Sequence, residues 1–167
     1  DLMCGSGTLC IEGAWLALER APGLTRKWFG FQGWRDYEAG TWALVREEAR
    51  LRMRKQLPFP IWGSDRHSGA VALAQRNARS AGVGQWLRFY QEDMREARPA
   101  PGCPPGLILC NPPYGSRLEG SRASVLALYA ALGDTVRRYW PRWRLAVFAE
   151  GKDWLEAVGL PLRRTAV

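Results

Sequence analysis

Short apolar segments that end at turn residues alternate with segments of helical spacing along this sequence. The apolar segments, which we interpret as strands, lie at 58–65, 86–90, 107–110 and 144–149. Amphipathic helices are predicted between them, at 68–81 and 124–139. Such an alternation is typical of a parallel sheet with helices on both faces and ligands beyond the carboxyl ends of its strands. We therefore predict an α/β fold with a doubly wound sheet.

The tetrapeptide Asn111-Pro112-Pro113-Tyr114 closes the apolar segment 107–110. Two consecutive prolines fix φ and remove two backbone donors, so the loop is stiff and its carbonyl groups stay free to accept. Asn111 Oδ1 and the Pro112 carbonyl can accept both N–H groups of a planar amine while Tyr114 stacks on its ring. The alternative is an ordinary Asn-Pro turn in which Tyr114 only packs.

A glycine turn, Gly5-Ser6-Gly7, precedes a segment of helical spacing near the start of the sequence. Glycines let the backbone approach a ligand closely at a helix N-terminus, where free N–H groups collect. We expect Ser6 or Thr8 to cap this helix. A tight turn without a ligand fits the same pattern. The Lys-Ser/Thr pair of a phosphate-binding loop is absent, which argues against ATP or GTP.

Two carboxylates follow predicted strands. Asp65 ends the segment 58–65, a position at which α/β nucleotide-binding folds hold a ribose through both hydroxyls, and it can also cap the next helix. Asp93 lies just beyond 86–90, where it can bind an adenine amine or simply form a turn. Because the glycine turn, Asp65 and Asn111 follow separate strands, we predict that they share one site at one edge of the sheet.

The chain of 167 residues carries a net charge of +8, which favours a polyanionic partner such as nucleic acid. Aromatic residues in the irregular segment 20–40 alternate with Arg26, Lys27 and Arg35. These aromatic rings can stack on exposed bases, or they can form a small core that holds the segment in place. A basic helix is predicted to follow at 41–57.

The four cysteines form no C-x-x-C pair, and His67 is the single histidine. We therefore expect no metal site and no disulfide framework, and reduced cysteines in a cytoplasmic protein. No apolar stretch of 18 residues occurs in the sequence, so we expect no membrane span.

Several motifs resemble those of the S-adenosylmethionine-dependent amino-methyltransferases: D-L-M-C-G-S-G-T at 1–8, G-S-D at 63–65 and N-P-P-Y-G-S-R-L at 111–118. A-P-G-L-x-R-x-x-F-G-F at 21–31 resembles the insertion of the bacterial 23S (large-subunit) ribosomal RNA guanine-N2 methyltransferases, the RlmL type. The likeness spans nearly the whole chain. It implies one Rossmann-like class I methyltransferase domain over 1–167, S-adenosylmethionine as cofactor and large-subunit ribosomal RNA as partner.

The resemblance also implies roles for individual residues on the cofactor side. The methionine part of S-adenosylmethionine would lie against Asp1, Cys4, Gly5, Ser6 and Gly7. Asp65 would hold the ribose, and Asp93 would hold the adenine.

On the substrate side, the resemblance assigns the target guanine to the loop after the strand 107–110. Asn111, Pro112 and Tyr114 would be the catalytic residues. Pro113 and Arg117 would contact the substrate, Arg117 through the RNA backbone.

Compared with that family, the sequence begins at the end of the first, central strand and stops before the final hairpin is complete. We expect an excised piece of a longer protein that is poorly stable and weakly active alone, because two halves of the sheet would lack their joining strand.

Two other functions remain open. One is an adenine-amine methyltransferase acting on RNA or DNA, and the other is a non-catalytic RNA-binding or ribosome-assembly module.

Overall fold

The computed structural model describes residues 1–113, 121–149 and 151–163. Five helices and four strands are assigned there, namely α1 (Thr8–Ala17), α2 (Ala39–Leu51), β1 (Ile61–Asp65), α3 (Ser68–Ser80), β2 (Leu87–Gln91), β3 (Leu107–Cys110), α4 (Arg122–Tyr139), β4 (Arg144–Val147) and α5 (Lys152–Ala157). Short 3-10 turns lie at Pro22–Thr25, Gly30–Gly33 and Gly84–Trp86. The predicted α/β fold is confirmed.

The strands form two parallel pairs. β1 pairs with β2 in a register that sets Asp65 opposite Gln91. β3 pairs with β4 in a register that sets Cys110 opposite Val147. Because each pair is parallel, the carboxyl ends of its strands, and the residues that follow them, lie at the same edge.

Residues 1–4 lie alongside β1 in place of a further strand. The Asp1 ammonium donates to the Trp62 carbonyl, the Ser64 N–H donates to the Asp1 carbonyl, and the Cys4 N–H donates to the Ser64 carbonyl, each at 2.8 Å. On the other side, the buried side chain of Leu2 packs in the same core cluster as residues of β3. The segment 1–4 therefore lies between the two strand pairs, and no strand is assigned between β1 and β3 within the described ranges.

Each strand pair has its own core. α1 and α3 pack on β1–β2, where Val71, Ala74 and Ala78 of α3 are buried at the i, i+3, i+7 spacing of one helix face. The second core joins β3 to α4 through Ile108, Leu132 and other buried residues.

The predicted helix 41–57 ends earlier than expected, at Leu51. Three residues later, the Arg54 N–H donates to the Leu18 carbonyl at 2.8 Å, at the end of α1. This tertiary hydrogen bond turns the chain away from the helix axis, and a local sequence pattern does not contain it. In the described part of the chain, no helix combines the length and the hydropathy that a membrane span requires.

Candidate active site

The glycine turn adopts a backbone conformation that suits glycine. Gly5 and Gly7 have φ of +51° and +82°, in the left-handed region. A Cβ at Gly7 would lie 2.9 Å from the Cβ of Ala74, whereas a Cβ at Gly5 would meet nothing within 4 Å. Gly7 therefore allows α1 to pack against α3, and Gly5 borders open space in which a ligand can approach the backbone.

The expected side-chain cap of α1 is wrong. Gly7 occupies the N-cap position without a side-chain hydrogen bond, and the hydroxyls of Ser6 and Thr8 bond to each other at 3.0 Å. The turn is closed by its own backbone, because the Gly7 N–H donates to the Cys4 carbonyl at 2.8 Å. The left-handed Gly7 thus stands at the N-cap position where a capping side chain was expected.

Asp65 connects the end of β1 to the glycine turn. Its Oδ2 accepts from the Gly5 N–H at 3.0 Å, and its Oδ1 accepts from the His67 N–H, at the start of α3, also at 3.0 Å. From α3, Asn77 Nδ2 donates to the Ser6 carbonyl at 2.9 Å. A carboxylate oxygen has two acceptor sites, so each oxygen of Asp65 keeps one for a further donor. The predicted capping of α3 by Asp65 is wrong, because His67 is the N-cap and no side chain caps this helix. The carboxylate instead fixes the turn between β1 and α3, and its remaining acceptor sites suit a ligand.

Asp93 forms a turn. Its Oδ1 accepts from the Arg95 N–H at 2.9 Å, and its carboxylate pairs with the Arg95 guanidinium at 3.1 Å. The Asp93 carbonyl accepts from the Glu96 N–H at 2.8 Å, which closes the same turn. Asp93 therefore forms a turn, which is one of its two predicted roles. The other role, binding of an adenine, stays a prediction.

Glu92 is a further carboxylate at the end of β2, and the sequence pattern does not predict a role for it. Its N–H donates to the Asp65 carbonyl at 3.0 Å, directly beyond the β1–β2 pairing. Burial raises the pKa of its carboxyl, and the nearby Arg98 opposes that effect. The signal in the sequence was its position immediately after β2, one residue before the more conspicuous Asp93.

The loop that follows β3 begins with an accessible amide. Asn111 and Pro113 are exposed, and Pro112 between them is fully buried. The Phe148 N–H donates to the Cys110 carbonyl at 2.9 Å, so the strand pairing extends to the residue before Asn111. A buried proline that follows a paired strand end holds the Asn111 amide at the carboxyl edge. Tyr114 and Arg117 lie outside the described residues.

The segment 1–4 relates the glycine turn to the Asn111 loop. Burial raises the pKa of the Cys110 thiol, and a hydrogen bond with the Leu2 backbone partly offsets this rise. The residue before Asn111 therefore lies against Leu2, and the glycine turn starts three residues after Leu2. The glycine turn and Asp65 meet beyond the carboxyl end of β1, and Asn111 follows the carboxyl end of β3. That all three share one site stays a prediction.

The cysteines beside this edge are protonated thiols. Burial, together with the charges of Cys10 and Asp65, raises the pKa of Cys4 to about 12. Burial also raises the pKa of Cys10. A thiol with a raised pKa is a poor nucleophile at neutral pH, so Cys4 contributes its backbone and volume to the site rather than reactivity. In the described ranges, no cluster of His, Cys, Asp or Glu side chains is arranged to hold a metal ion.

Three crystal structures share this architecture. SMU.472, named as a candidate methyltransferase and solved with SAH, is 30% identical, with a TM-score of 0.84. A candidate methylase from Clostridium difficile 630 is 34% identical, with a TM-score of 0.83. A protein from Listeria monocytogenes strain 4b F2365, named a predicted N6-adenine-specific DNA methylase, is 32% identical, with a TM-score of 0.82.

Each of these alignments covers 95% of the present chain. The aligned region is 41% of SMU.472, 41% of the Clostridium protein and 40% of the Listeria protein. The chain thus spans about two fifths of the length of the solved structures that it matches. The family model UPF0020, described as an RMKL-like methyltransferase domain, matches residues 1–165. The chain therefore belongs to the RMKL-like methyltransferase domain family.

Proposed function

We propose that this domain transfers a methyl group from S-adenosylmethionine to the exocyclic N2 amine of a guanine in large-subunit ribosomal RNA. The observation that carries the proposal is the Gly5–Asp65 hydrogen bond beyond β1, together with the exposed Asn111 beyond β3. In the proposal both lie at one edge of the sheet. One part of this edge suits a nucleoside cofactor, and the other presents acceptors for an amine. The net charge of +8 supports a polyanionic substrate.

S-adenosylmethionine as the cofactor is confirmed by the methyltransferase family of the chain and by the SAH bound to its homologue SMU.472. When bound, it supplies a methyl group on a positively charged sulfur. The described residues fit such a molecule. Gly5 leaves space beside the backbone, and Asp65 keeps acceptor sites for the ribose hydroxyls. Asp1, Cys4, Ser6 and Gly7 complete this turn in the proposal.

The amine-binding part of the site works by positioning. A guanine amine is a weak nucleophile because its lone pair is delocalised into the ring. Asn111 Oδ1 and the Pro112 carbonyl accept its two N–H groups, which favours a pyramidal nitrogen whose lone pair points at the methyl carbon. The stiff proline pair holds both acceptors in place before the substrate arrives. The nitrogen loses one proton to solvent after the transfer, so no strong base is required.

An adenine amine is the second candidate acceptor. The homologue from Listeria monocytogenes is named a predicted N6-adenine-specific DNA methylase. The two acceptors at Asn111 and Pro112 suit any exocyclic amine, so they do not discriminate between the bases. Either base has to leave its stack to reach the edge of the sheet, and this costs least in a single-stranded loop.

Mass mapping of modified nucleotides in ribosomal RNA tests the proposal in cells that carry Asn111→Ala. We expect the loss of one N2-methylguanine, because the variant lacks an acceptor for the amine. Asn111→Asp is the matched variant, since it keeps an acceptor oxygen in the same place and should retain more methylation than Asn111→Ala. Loss of an N6-methyladenine instead would support the adenine candidate. Unchanged modification, together with no binding of S-adenosylmethionine in calorimetry, would support a non-catalytic RNA-binding module.

A further inference from the structure

The segment 20–57, which we call the insertion, concentrates both the charge and the aromatic residues of the chain. It contains nine basic and four acidic residues, so it carries +5 of the net charge of +8. It also contains six aromatic residues, namely Trp28, Phe29, Phe31, Trp34, Tyr37 and Trp42. The insertion starts beyond the carboxyl end of α1, which runs about 15 Å from the glycine turn. The insertion is therefore attached away from the edge that carries Asn111.

Part of this aromatic content forms a small core around Phe31. The Phe31 ring lies 5.0 Å from the Trp42 ring, nearly perpendicular to it, and 5.5 Å from the Phe29 ring. The Tyr37 ring lies 6.1 Å from Phe31. These are ordinary distances for aromatic packing. These rings therefore pack on one another within the insertion.

Trp34 contacts the edge of this core but stays largely exposed to solvent. Its ring is 6.3 Å from the Phe31 ring, yet 69% of the residue is exposed to solvent. It forms one wall of an open cavity of about 300 Å³, a volume at the lower end for small-ligand sites. We call this cavity the aromatic pocket; its lining includes Phe31, Trp34, Tyr37, Trp42, Asp36 and Glu38.

Two kinds of ligand suit aromatic walls with carboxylates among them. A nucleobase can stack on the rings and donate its amino group to a carboxylate. A methylated ammonium group can also be held by aromatic faces. The charge of the insertion as a whole favours the nucleobase, because a net charge of +5 attracts a polyanionic backbone and repels a cationic peptide. The two carboxylates of the lining, Asp36 and Glu38, are then acceptors for a base amino group.

We propose that the aromatic pocket binds one unpaired nucleobase of single-stranded RNA, at a distance from the nucleotide that is methylated. Trp34 stacks on the base, and the exposed carboxylate of Asp36 accepts from its amino group. Basic side chains elsewhere in the insertion, such as Arg35 next to Trp34 in sequence, contact the phosphates of the same strand. The proposal rests on the proposed function only in taking RNA as the polyanionic partner. The pocket anchors the substrate and takes no part in the methyl transfer.

Fluorescence anisotropy with a labelled single-stranded RNA of 12 nucleotides tests this site in the full chain. We expect Trp34→Ala to weaken binding about tenfold, which is the range for loss of one base-stacking contact. Trp28→Ala is the matched control, because Trp28 is also in the insertion and 60% exposed but does not line the pocket. It should change the affinity by less than about twofold. Trp34→Phe keeps a ring in place and should restore most of the binding.

Three results would overturn the proposal. The first is equal RNA affinity in Trp34→Ala and the unsubstituted chain, and the second is an equal loss in Trp28→Ala. The third is Trp34-dependent binding of a trimethyllysine peptide without any Trp34-dependent binding of RNA. Calorimetric titration with S-adenosylmethionine reports on the methyltransferase site alone and should be unchanged in all three variants. If Trp34→Ala weakens RNA binding while the unsubstituted chain transfers no methyl group, the aromatic pocket stands and the proposed function fails.

Discussion

The two strand pairs hold their predicted site residues by different means. In the β1–β2 pair, Asp65 binds the Gly5 N–H and Asn77 of α3 binds the Ser6 carbonyl, at 3.0 and 2.9 Å. In the β3–β4 pair, Asn111 is positioned by the stiffness of its own chain and by the buried ring of Pro112. The cofactor side therefore depends on hydrogen bonds between elements far apart in sequence, and the substrate side depends on local covalent geometry.

This difference has a consequence for substitutions. A change in a single hydrogen-bonding group of the β1–β2 pair should loosen the glycine turn, since Asp65 of β1 and Asn77 of α3 each supply one bond to it. A change in the packing under the β3–β4 pair should destabilise that half first, since α4 supplies much of its buried surface. Five substitutions test this difference, with expected effects that run from the largest to the smallest.

Gly133→Ala in α4 is expected to have the largest effect. The added Cβ would lie 1.7 Å from the backbone carbonyl oxygen of Val158, which follows α5, so α4 and α5 would have to separate. We expect the free energy of unfolding to fall by about 3 kcal/mol, measured by urea denaturation.

Gly63→Ala in β1 is the matched variant for the other half. Its Cβ would meet only side chains, the Phe89 ring at 2.8 Å and Cys10 Sγ at 3.0 Å, which can shift. We expect the free energy of unfolding to fall by about 1 to 2 kcal/mol, measured in the same way. Equal losses in the two variants would show that the halves do not differ in how they tolerate packing changes.

Asp65→Ala is expected to have the next largest effect. It removes the acceptors of both the Gly5 and the His67 N–H groups, so we expect the free energy of unfolding to fall by about 2 kcal/mol. Binding of S-adenosylmethionine, measured by calorimetry, should weaken by about tenfold or more, because a lost hydrogen bond to a charged group has this magnitude.

Asp93→Ala sharpens the interpretation of Asp65→Ala. Apart from the neighbouring Arg95, no described residue is bonded to the Asp93 carboxylate. Weaker cofactor binding in Asp93→Ala, with stability little changed, would assign the adenine to this residue. Unchanged binding would show that Asp93 only forms the turn. Glu92 would then be the next carboxylate to test for binding of the adenine.

The smallest effect is expected from Cys4, and only at high pH. Burial raises the pKa of its thiol from 9.0 to about 12, so the folded state keeps the proton that the unfolded state releases first. This contribution to stability is fully present below pH 9 and is lost as the pH rises from 9 to 12. We therefore expect the free energy of unfolding to fall less between pH 8 and pH 10.5 in Cys4→Ala than in the unsubstituted chain. Identical pH dependences in the two proteins would contradict the assignment.

Much of the fold was predictable because its signals are local. Apolar runs that end at turn residues located all four strands, with ends that differ from the structure by at most three residues and agree for β3. The Asn-Pro-Pro sequence predicted a loop directly after β3, since proline acts through its own ring. The end of α2, the capping of α1 and the position of Glu92 were not predicted. Each of these depends on a contact or a backbone conformation that no short sequence pattern records.

The sequence by itself determined which residues end the strands and which of them have the chemistry for a cofactor and an amine. Only the tertiary structure decided how they meet. The hydrogen bond between Gly5 and Asp65 joins residues 60 positions apart in sequence, and the one between Ser6 and Asn77 joins residues 71 positions apart. The same holds for the insertion, where the sequence showed rings and charges but left open which rings pack and which stay exposed. The physical reason is that local patterns set backbone preference and burial, whereas contacts across such distances form only when the elements pack.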